Sequence, residues 1–404
     1  MKRFFLITVI AIMVLFPIKT YAKATSTIAM DLDTGRVLYS NNINEKRLIA
    51  SITKVLTAII VLETTDIEKE VEVGTEVLKM YGTNIYIEPG EKITIKDLLY
   101  GLLLRSGNDA AITLAVATAG SEEKFVELMN QKAKEIGMKN STFKNPHGLD
   151  EDTQNYSTAY DMALLSKYAY KNKTYRQISS TKKYETTTIN KTYLWYNRNR
   201  LLNNYKYCTG GKNGYTPSAG KTLITTAKKN NLNLTIVTLN DDSKYETHQK
   251  LYEQLFAEYE NYKIVDKNSF DVKSKNKDEI LFLKKSFSYP LTKKEISKIK
   301  TLVTFANNSK NTAGTIKIYL GDKKIGQLDI YKKTQKKKEN FLRKFKTLFT
   351  WKSKKVNTRL THKSYTRAIG TNSRWYEKFT IRKFISFIII FHCTITLNQT
   401  INKR

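Results

Sequence analysis

The strongest constraint on the fold is a bracketing pattern, with strand pairs at both ends of a segment whose middle is helical. Residues 28–39 alternate apolar and polar positions around Asp33-Thr34-Gly35, which predicts a hairpin. Far downstream, residues 221–227 and 232–239 predict a second antiparallel pair turning at 228–231. Between them the pattern predicts helices over 52–63, 95–104 and 109–119, one from Ser121 to about Gly137, and one over 158–170. A last helix is expected over 243–259. Helices bracketed in this way predict one α+β domain over residues 25–260, built on an antiparallel sheet. Short strands at 279–283, 301–305, 316–320 and 325–331 predict a small β-rich second domain over 261–333.

The ends of the chain set the compartment. Lys2-Arg3, an apolar run over 4–18 and small residues at Ala22 and Ala24 have the order of a secretory signal peptide, taken as residues 1–24, with cleavage after Ala22 or Ala24. The body is therefore expected outside the cytoplasm, at the outer face of the membrane or in the cell wall space. The formal charge of +32 raises the question of nucleic acid. More than half of it sits in residues 332–404, where 20 Lys/Arg face two acids. A basic tail on a moderately basic body suits an anionic membrane or wall, and no nucleic-acid motif is present. Cys208 and Cys393 lie too far apart, in unlike regions, to suggest a disulfide framework or a metal cluster.

Three short elements carry the chemistry: Ser51-Ile-Thr-Lys54, Ser106-Gly-Asn108 and Lys212-Asn-Gly214, spaced 55 and 106 residues apart. Ser-x-x-Lys alone means little, since seven other serines also have lysine three positions on. Ser51 differs in context, because it opens the apolar helical stretch at the position of an N-cap. Lys54, one turn along, shares its face. An amine on a largely apolar surface is costly as a cation, so its pKa should fall until it can take a proton from a neighbouring hydroxyl. Backbone N–H groups at the helix start would favour a developing oxyanion. Ser106-Gly-Asn108 falls in an interhelical loop that can aim a hydroxyl and an amide into one cleft. Lys212-Asn-Gly214 follows a flexible Thr209-Gly-Gly211 approach and leads into a strand, with Gly214 permitting close backbone contact. With four histidines in the chain, a lysine-activated serine is the chemistry best supplied.

These motifs, with Asn145-Pro-His-Gly-Leu149 and Tyr156-Ser-Thr-Ala-Tyr-Asp-Met-Ala163, make residues 25–333 resemble the low-molecular-mass penicillin-binding proteins that are serine-type D-alanyl-D-alanine carboxypeptidases. The resemblance implies a β-lactamase/transpeptidase-like fold followed by the β-rich domain. It implies Ser51 as the acylated nucleophile, Lys54 as its base and Ser106 as a proton relay. Asn108 would bind the substrate backbone, and Lys212 would supply positive field for the terminal carboxylate. Asn213, Gly214 and Tyr215 complete the substrate-binding set, with the N–H groups of Ser51 and Tyr215 as the oxyanion hole. The implied substrate is the peptidoglycan stem peptide and the implied covalent inhibitors are β-lactams, with no metal or organic cofactor. Two departures stand out. Asn213 replaces the usual threonine, and residues 240–248 hold no carboxylate-binding arginine, leaving Lys244 as a weak substitute. His147 is expected to serve its loop rather than catalysis.

Rival readings are a class A-like β-lactamase, with Glu127 as a superficial deacylating carboxylate, a D,D-endopeptidase on the same residues, and a catalytically silent wall-binding protein. Residues 334–351 form a basic segment in which Phe341, Leu342, Phe345, Leu348 and Phe349 share an arc opposite Arg343 and Lys346, as in a helix lying on an anionic membrane surface. Residues 352–404 form an atypical basic tail with no clear period.

Overall fold

The computed structural model describes residues 26–334, apart from 190, 273, 275–278 and 306–311. The expected signal peptide, amphipathic segment and basic tail lie outside the described residues. Strands β1 (Ser26–Asp31) and β2 (Val37–Asn41) form the first hairpin. β3 (Cys208–Thr216), β4 (Gly220–Lys229) and β5 (Leu232–Leu239) complete an antiparallel sheet in the order β2-β1-β5-β4-β3. The β4–β5 turn is tighter than the sequence pattern predicts. Lys228 and Lys229 stay in the strand, and Asn230 and Asn231 alone turn the chain with φ of 49° and 62°. That is the primed geometry which matches strand twist, and asparagine tolerates it well.

The sheet is covered on both faces, so its central strands β1, β4 and β5 are buried along most of their length, threonines included. Ile28, Met30, Val237 and Leu239 join one core with helices α1 (Lys54–Thr64), α2 (Ile95–Tyr100), α3 (Asn108–Ala119), α4 (Glu122–Ile136) and α5 (Ala159–Ala169). Ala29, Leu234 and Ile236 alternate to the other face, against Leu251, Tyr252, Leu255 and Phe256 of α6 (Lys244–Glu258). α1 is buried from Lys54 to Val61. Each aliphatic side chain it places in the core contributes about 1.5–3 kcal/mol. Helix starts follow the sequence signals where a side chain can reach back. Ser121 caps α4 through Lys124 N, Thr158 caps α5 through Asp161 N, and Gly137 closes α4 with φ of 91°.

Beyond α6 the chain forms a four-stranded antiparallel sheet from Glu279–Leu283, Ile299–Phe305, Thr312–Leu320 and Lys323–Thr334. Its own core is Leu281, Leu283, Ile316, Ile318, Leu328 and Ile330. A pair the sequence pattern does not reveal, Glu260–Val265 with Phe287–Leu291, packs against that core through Ile264, Val265 and Phe287. Arg36, at the β1–β2 turn, reaches this pair. It donates to Pro290 O and pairs with Glu295 at 2.5 Å, its guanidinium resting over the Tyr259 and Tyr289 rings.

Candidate active site

Ser51 is not a helix cap. It lies in a 3₁₀ turn, Ala50–Thr53, and the helix begins only at Lys54, after a Thr53 that makes no side-chain cap bond. The hydroxyl that would have capped the helix is turned to Lys54 Nζ, 3.0 Å away. Ala50, immediately before it, has φ of 48°, a conformation that costs an alanine energy and persists only because its surroundings enforce it.

The Lys54 amine is fully enclosed and has three oxygen neighbours: Ser51 Oγ, Asn108 Oδ1 at 2.7 Å and the His147 carbonyl at 2.6 Å. Two of these can only accept. As an ammonium, Lys54 donates to all three. As a neutral amine it keeps two N–H bonds for the amide oxygen and the carbonyl, and its lone pair is left for the Ser51 hydroxyl proton. Burial brings the amine down to about 7, with the charge of Asp109 opposing and Arg198 assisting. At an ordinary lysine pKa roughly one amine in 3,000 would be neutral at pH 7, so burial decides whether a base exists at all.

The carbonyl of His147 is held by the Asn145-Pro-His-Gly-Leu149 loop. Asn145 Oδ1 accepts from Gly148 N at 2.6 Å, Asn155 Nδ2 donates to Asn145 O, and Thr57 of α1 donates to Pro146 O. The His147 ring is buried, accepts from Leu149 N, and is pressed below its ordinary pKa chiefly by burial. It serves the loop, as the sequence reading has it, and the contribution to the site is its backbone oxygen.

Ser106 ends the helical turn after α2, buried, with φ of 73°, and Asn108 opens α3. The Asn108 amide is committed at both ends, its oxygen to Lys54 and its nitrogen to Tyr81 O at 2.7 Å. Lys212, Asn213 and Gly214 lie inside β3, not ahead of a strand, in register with Ile224, Leu223 and Thr222 of β4. The glycines before them are not a flexible approach, since a Cβ on Gly211 would sit 2.2 Å from Ile224 O. β3 is an edge strand, and it passes close to Ser51. A Cβ on Gly214 would lie 2.8 Å from Ser51 N.

Lys212 is buried, with its amine on Asn213 O at 2.8 Å. Burial, then the like charges of Lys54, Arg198 and Lys244, press it well below the ordinary lysine range. Lys244 donates to the carbonyls of Gly214 and Thr222, and its amine is lowered to about 8, mainly by burial. Asn213 and Tyr215 face a cleft of about 650 Å³ shared with Arg198, Arg200 and Lys244. Arg198 is the residue that sequence reasoning missed. Its charge is felt by Lys54, Lys212 and Lys244, and its guanidinium reaches Thr83 at 3.0 Å. No residue spacing ties it to the three motifs. Glu127 stands exposed on α4, a solvated helix position as read. Among the described residues, no group of three His, Cys, Asp or Glu side chains is placed to hold a metal ion.

Residues 17–243 match the family model of peptidase S11, D-alanyl-D-alanine carboxypeptidase. D-alanyl-D-alanine carboxypeptidase DacF of Bacillus subtilis is 35% identical over 301 residues, covering 71% of this chain and 77% of the relative. DacB2 of Mycobacterium tuberculosis is 34% identical over 214 residues, covering 53% of this chain and 73% of the relative. Among solved structures, penicillin binding protein 6B from Escherichia coli superposes with a TM-score of 0.63 at 28% identity, over 78% of this chain and 96% of that one.

Proposed function

Because the chain belongs to the peptidase S11 family of serine-type D-alanyl-D-alanine carboxypeptidases, we propose a division of labour by which this chain removes the terminal D-alanine of a peptidoglycan stem peptide. Lys54, uncharged, takes the Ser51 proton as Oγ attacks the scissile carbonyl. The Ser51 and Tyr215 N–H groups receive the oxyanion. Ser106 passes a proton to the departing amine. Water then resolves the ester by the same residues in reverse, while a penicillin leaves the acyl group in place. The observation that carries this reading is the set of three oxygens around Lys54 Nζ, which leaves a neutral amine only the Ser51 proton to accept.

The carboxylate of the leaving residue needs a fixed charge, and the lowered amines of Lys212 and Lys244 are poor sources of one. Arg198, a guanidinium in the same cleft as Asn213 and Tyr215, meets that need. Arg198→Gln should raise KM for a D-Ala-D-Ala peptide roughly 10-fold or more, the usual cost of losing a charged hydrogen bond. An unchanged KM would return the anchor to Lys212 alone.

The same proposal puts the protein outside the cytoplasmic membrane, supported by the Lys2-Arg3 start and the apolar run after it, and on an anionic membrane surface, supported by the apolar arc at 341–349. It also divides the chain near residue 260. The chemistry lies before that point, and the β-rich part, with its separate core, lies after it.

Incubation with a fluorescent penicillin tests the reading. Stable label on the Ser51 peptide is expected, together with D-alanine release from a pentapeptide. The rate of labelling should climb with pH through about 7 and level off above it, as Lys54 loses its proton. Rapid loss of label would favour a β-lactamase, release from cross-linked peptides alone an endopeptidase, and no label a silent wall-binding protein.

A further inference from the structure

The segment from Tyr81 to Ile87 belongs to no helix or strand, yet it lies against the Ser106-Gly107-Asn108 motif through a dense set of bonds. Asp109, the residue after that motif, is 2% exposed. Its carboxylate accepts from Ile85 N at 2.9 Å, Tyr86 N at 2.6 Å, Ile87 N at 3.3 Å and Ala110 N at 2.8 Å. Every one of these partners is a donor, which favours the carboxylate, while burial pulls the other way and raises its pKa. Tyr86, 66% exposed, gains nothing from burial and still holds φ of 64°, a strained angle for a tyrosine. Its N–H is held by Asp109 and its carbonyl by Lys191 Nζ.

Neighbouring bonds carry that restraint into the site. Asn108 N donates to Thr83 O at 2.8 Å, and Asp109 N to Asn84 Oδ1 at 3.3 Å. Asn108 Nδ2 donates to Tyr81 O, which leaves Oδ1 as the end that faces Lys54. If the loop moved, Tyr81 O would release the amide, and a rotated Asn108 would present N–H groups to an amine that must keep its lone pair for Ser51.

We propose that Asp109 is a positioning residue of the acylation site, strapping the 81–87 loop onto the Ser106-Gly107-Asn108 motif so that the Asn108 amide presents its oxygen to Lys54. This rests on the roles assigned above to Ser51 and Lys54. The titratable and charged groups that act on the Lys54 amine are Asp109, Arg198, Lys212 and His147, and Asp109 is the acid among them. Its removal therefore lowers the pKa of Lys54 while loosening the amide that Lys54 contacts.

The test is Asp109→Asn in the full chain, with Leu255→Ala in the core behind the sheet as a control of stability loss. Penicillin acylation by Asp109→Asn should fall at least 10-fold, with the midpoint of its rising pH limb moved down by about 0.5–1 unit. The midpoint of Leu255→Ala should not move. Acylation by Asp109→Asn at the parent's rate and midpoint would overturn the proposal, as would a loss matching Leu255→Ala with an unmoved midpoint. Should the variant not fold, amide exchange in the unaltered protein decides. The Tyr86 N–H must exchange slowly although Tyr86 is exposed, and the Ile85 N–H with it, and fast exchange at either overturns the strap. A parent protein that takes no label refutes the Ser51–Lys54 assignment and the strap together, whereas an unaffected Asp109→Asn refutes the strap alone.

Discussion

Lys54→Ala should reduce acylation of Ser51 by a penicillin at least about 10³-fold, some 4 kcal/mol in the barrier, within the range that loss of a general base and its nucleophile partner spans. The side chain is wholly buried and holds three oxygens in one place, so the substitution also leaves Asn108 Oδ1 and the His147 carbonyl without their donor. A loss of stability is thus expected beside the loss of rate, and alanine alone cannot separate base from scaffold. Lys54→Arg can. It keeps a cation and donors for the carbonyl and the amide, but a guanidinium does not give up a proton in a protein. If Lys54 is the base, both variants lose the reaction. Labelling of Lys54→Arg within 10-fold of the parent, measured by stopped-flow or gel fluorescence, would show that the charge alone matters and that the proton goes elsewhere.

Much of this geometry was legible in sequence because it is local. Ser51 and Lys54 are one turn apart, and any helical geometry brings them together, 3₁₀ or α. The cap residues Ser121 and Thr158 and the glycine after α4 announce themselves within a few positions. The hairpin at Asn230-Asn231 needs only two residues that tolerate positive φ. What local pattern could not settle is which of two local uses a residue is put to. Serine before an apolar run reads as a cap. In the structure the helix starts at Lys54, two residues later than the pattern predicts, and the hydroxyl is left to the lysine.

The residues that were missed share one property: each acts from a distance that no spacing rule encodes. Arg198 enters the cleft from the stretch of chain ahead of β3, with its guanidinium on Thr83. The loop from Tyr81 to Ile87 has no helical or strand period, so nothing in its composition points to the Ser106 motif it lies on. Lys212 was recognised but misplaced. Glycines at 210 and 211 suggest a flexible lead-in, whereas they are strand residues: the missing side chain of Gly211 lets β4 approach, and that of Gly210 makes room for Ser179. Sequence reasoning finds such residues as candidates for chemistry, and only packing tells whether a glycine gives freedom or removes an obstacle.

Gly148 shows the second kind at its most demanding. Its φ is 86°, and a Cβ placed on it would lie 2.1 Å from the carbonyl oxygen of Ala50 and 2.5 Å from its carbon. Neither is the far end of a flexible side chain. Ala50 is already strained at φ of 48° and is bonded to Ser51, while Gly148 is bonded to His147 and its N–H is fixed to Asn145 Oδ1. Gly148→Ala must therefore move one of two segments, and each bears on Lys54. If the 3₁₀ turn gives way, the Ser51 hydroxyl leaves the amine. If the loop gives way, the His147 carbonyl does. The expected cost is about 3–5 kcal/mol of stability, with acylation by the folded fraction falling at least 100-fold, since misplacement of about 1 Å is enough for that. Gly137→Ala supplies the comparison, because Gly137 has a similar φ of 91° and nothing within 4 Å of its Cβ position. It should cost only about 1–2 kcal/mol, the left-handed conformation by itself, and leave acylation at the parent's rate. Urea melts of the two variants side by side measure the difference. Equal midpoints would mean that the 145–149 loop yields freely, and that the carbonyl facing Lys54 is not held in place by it.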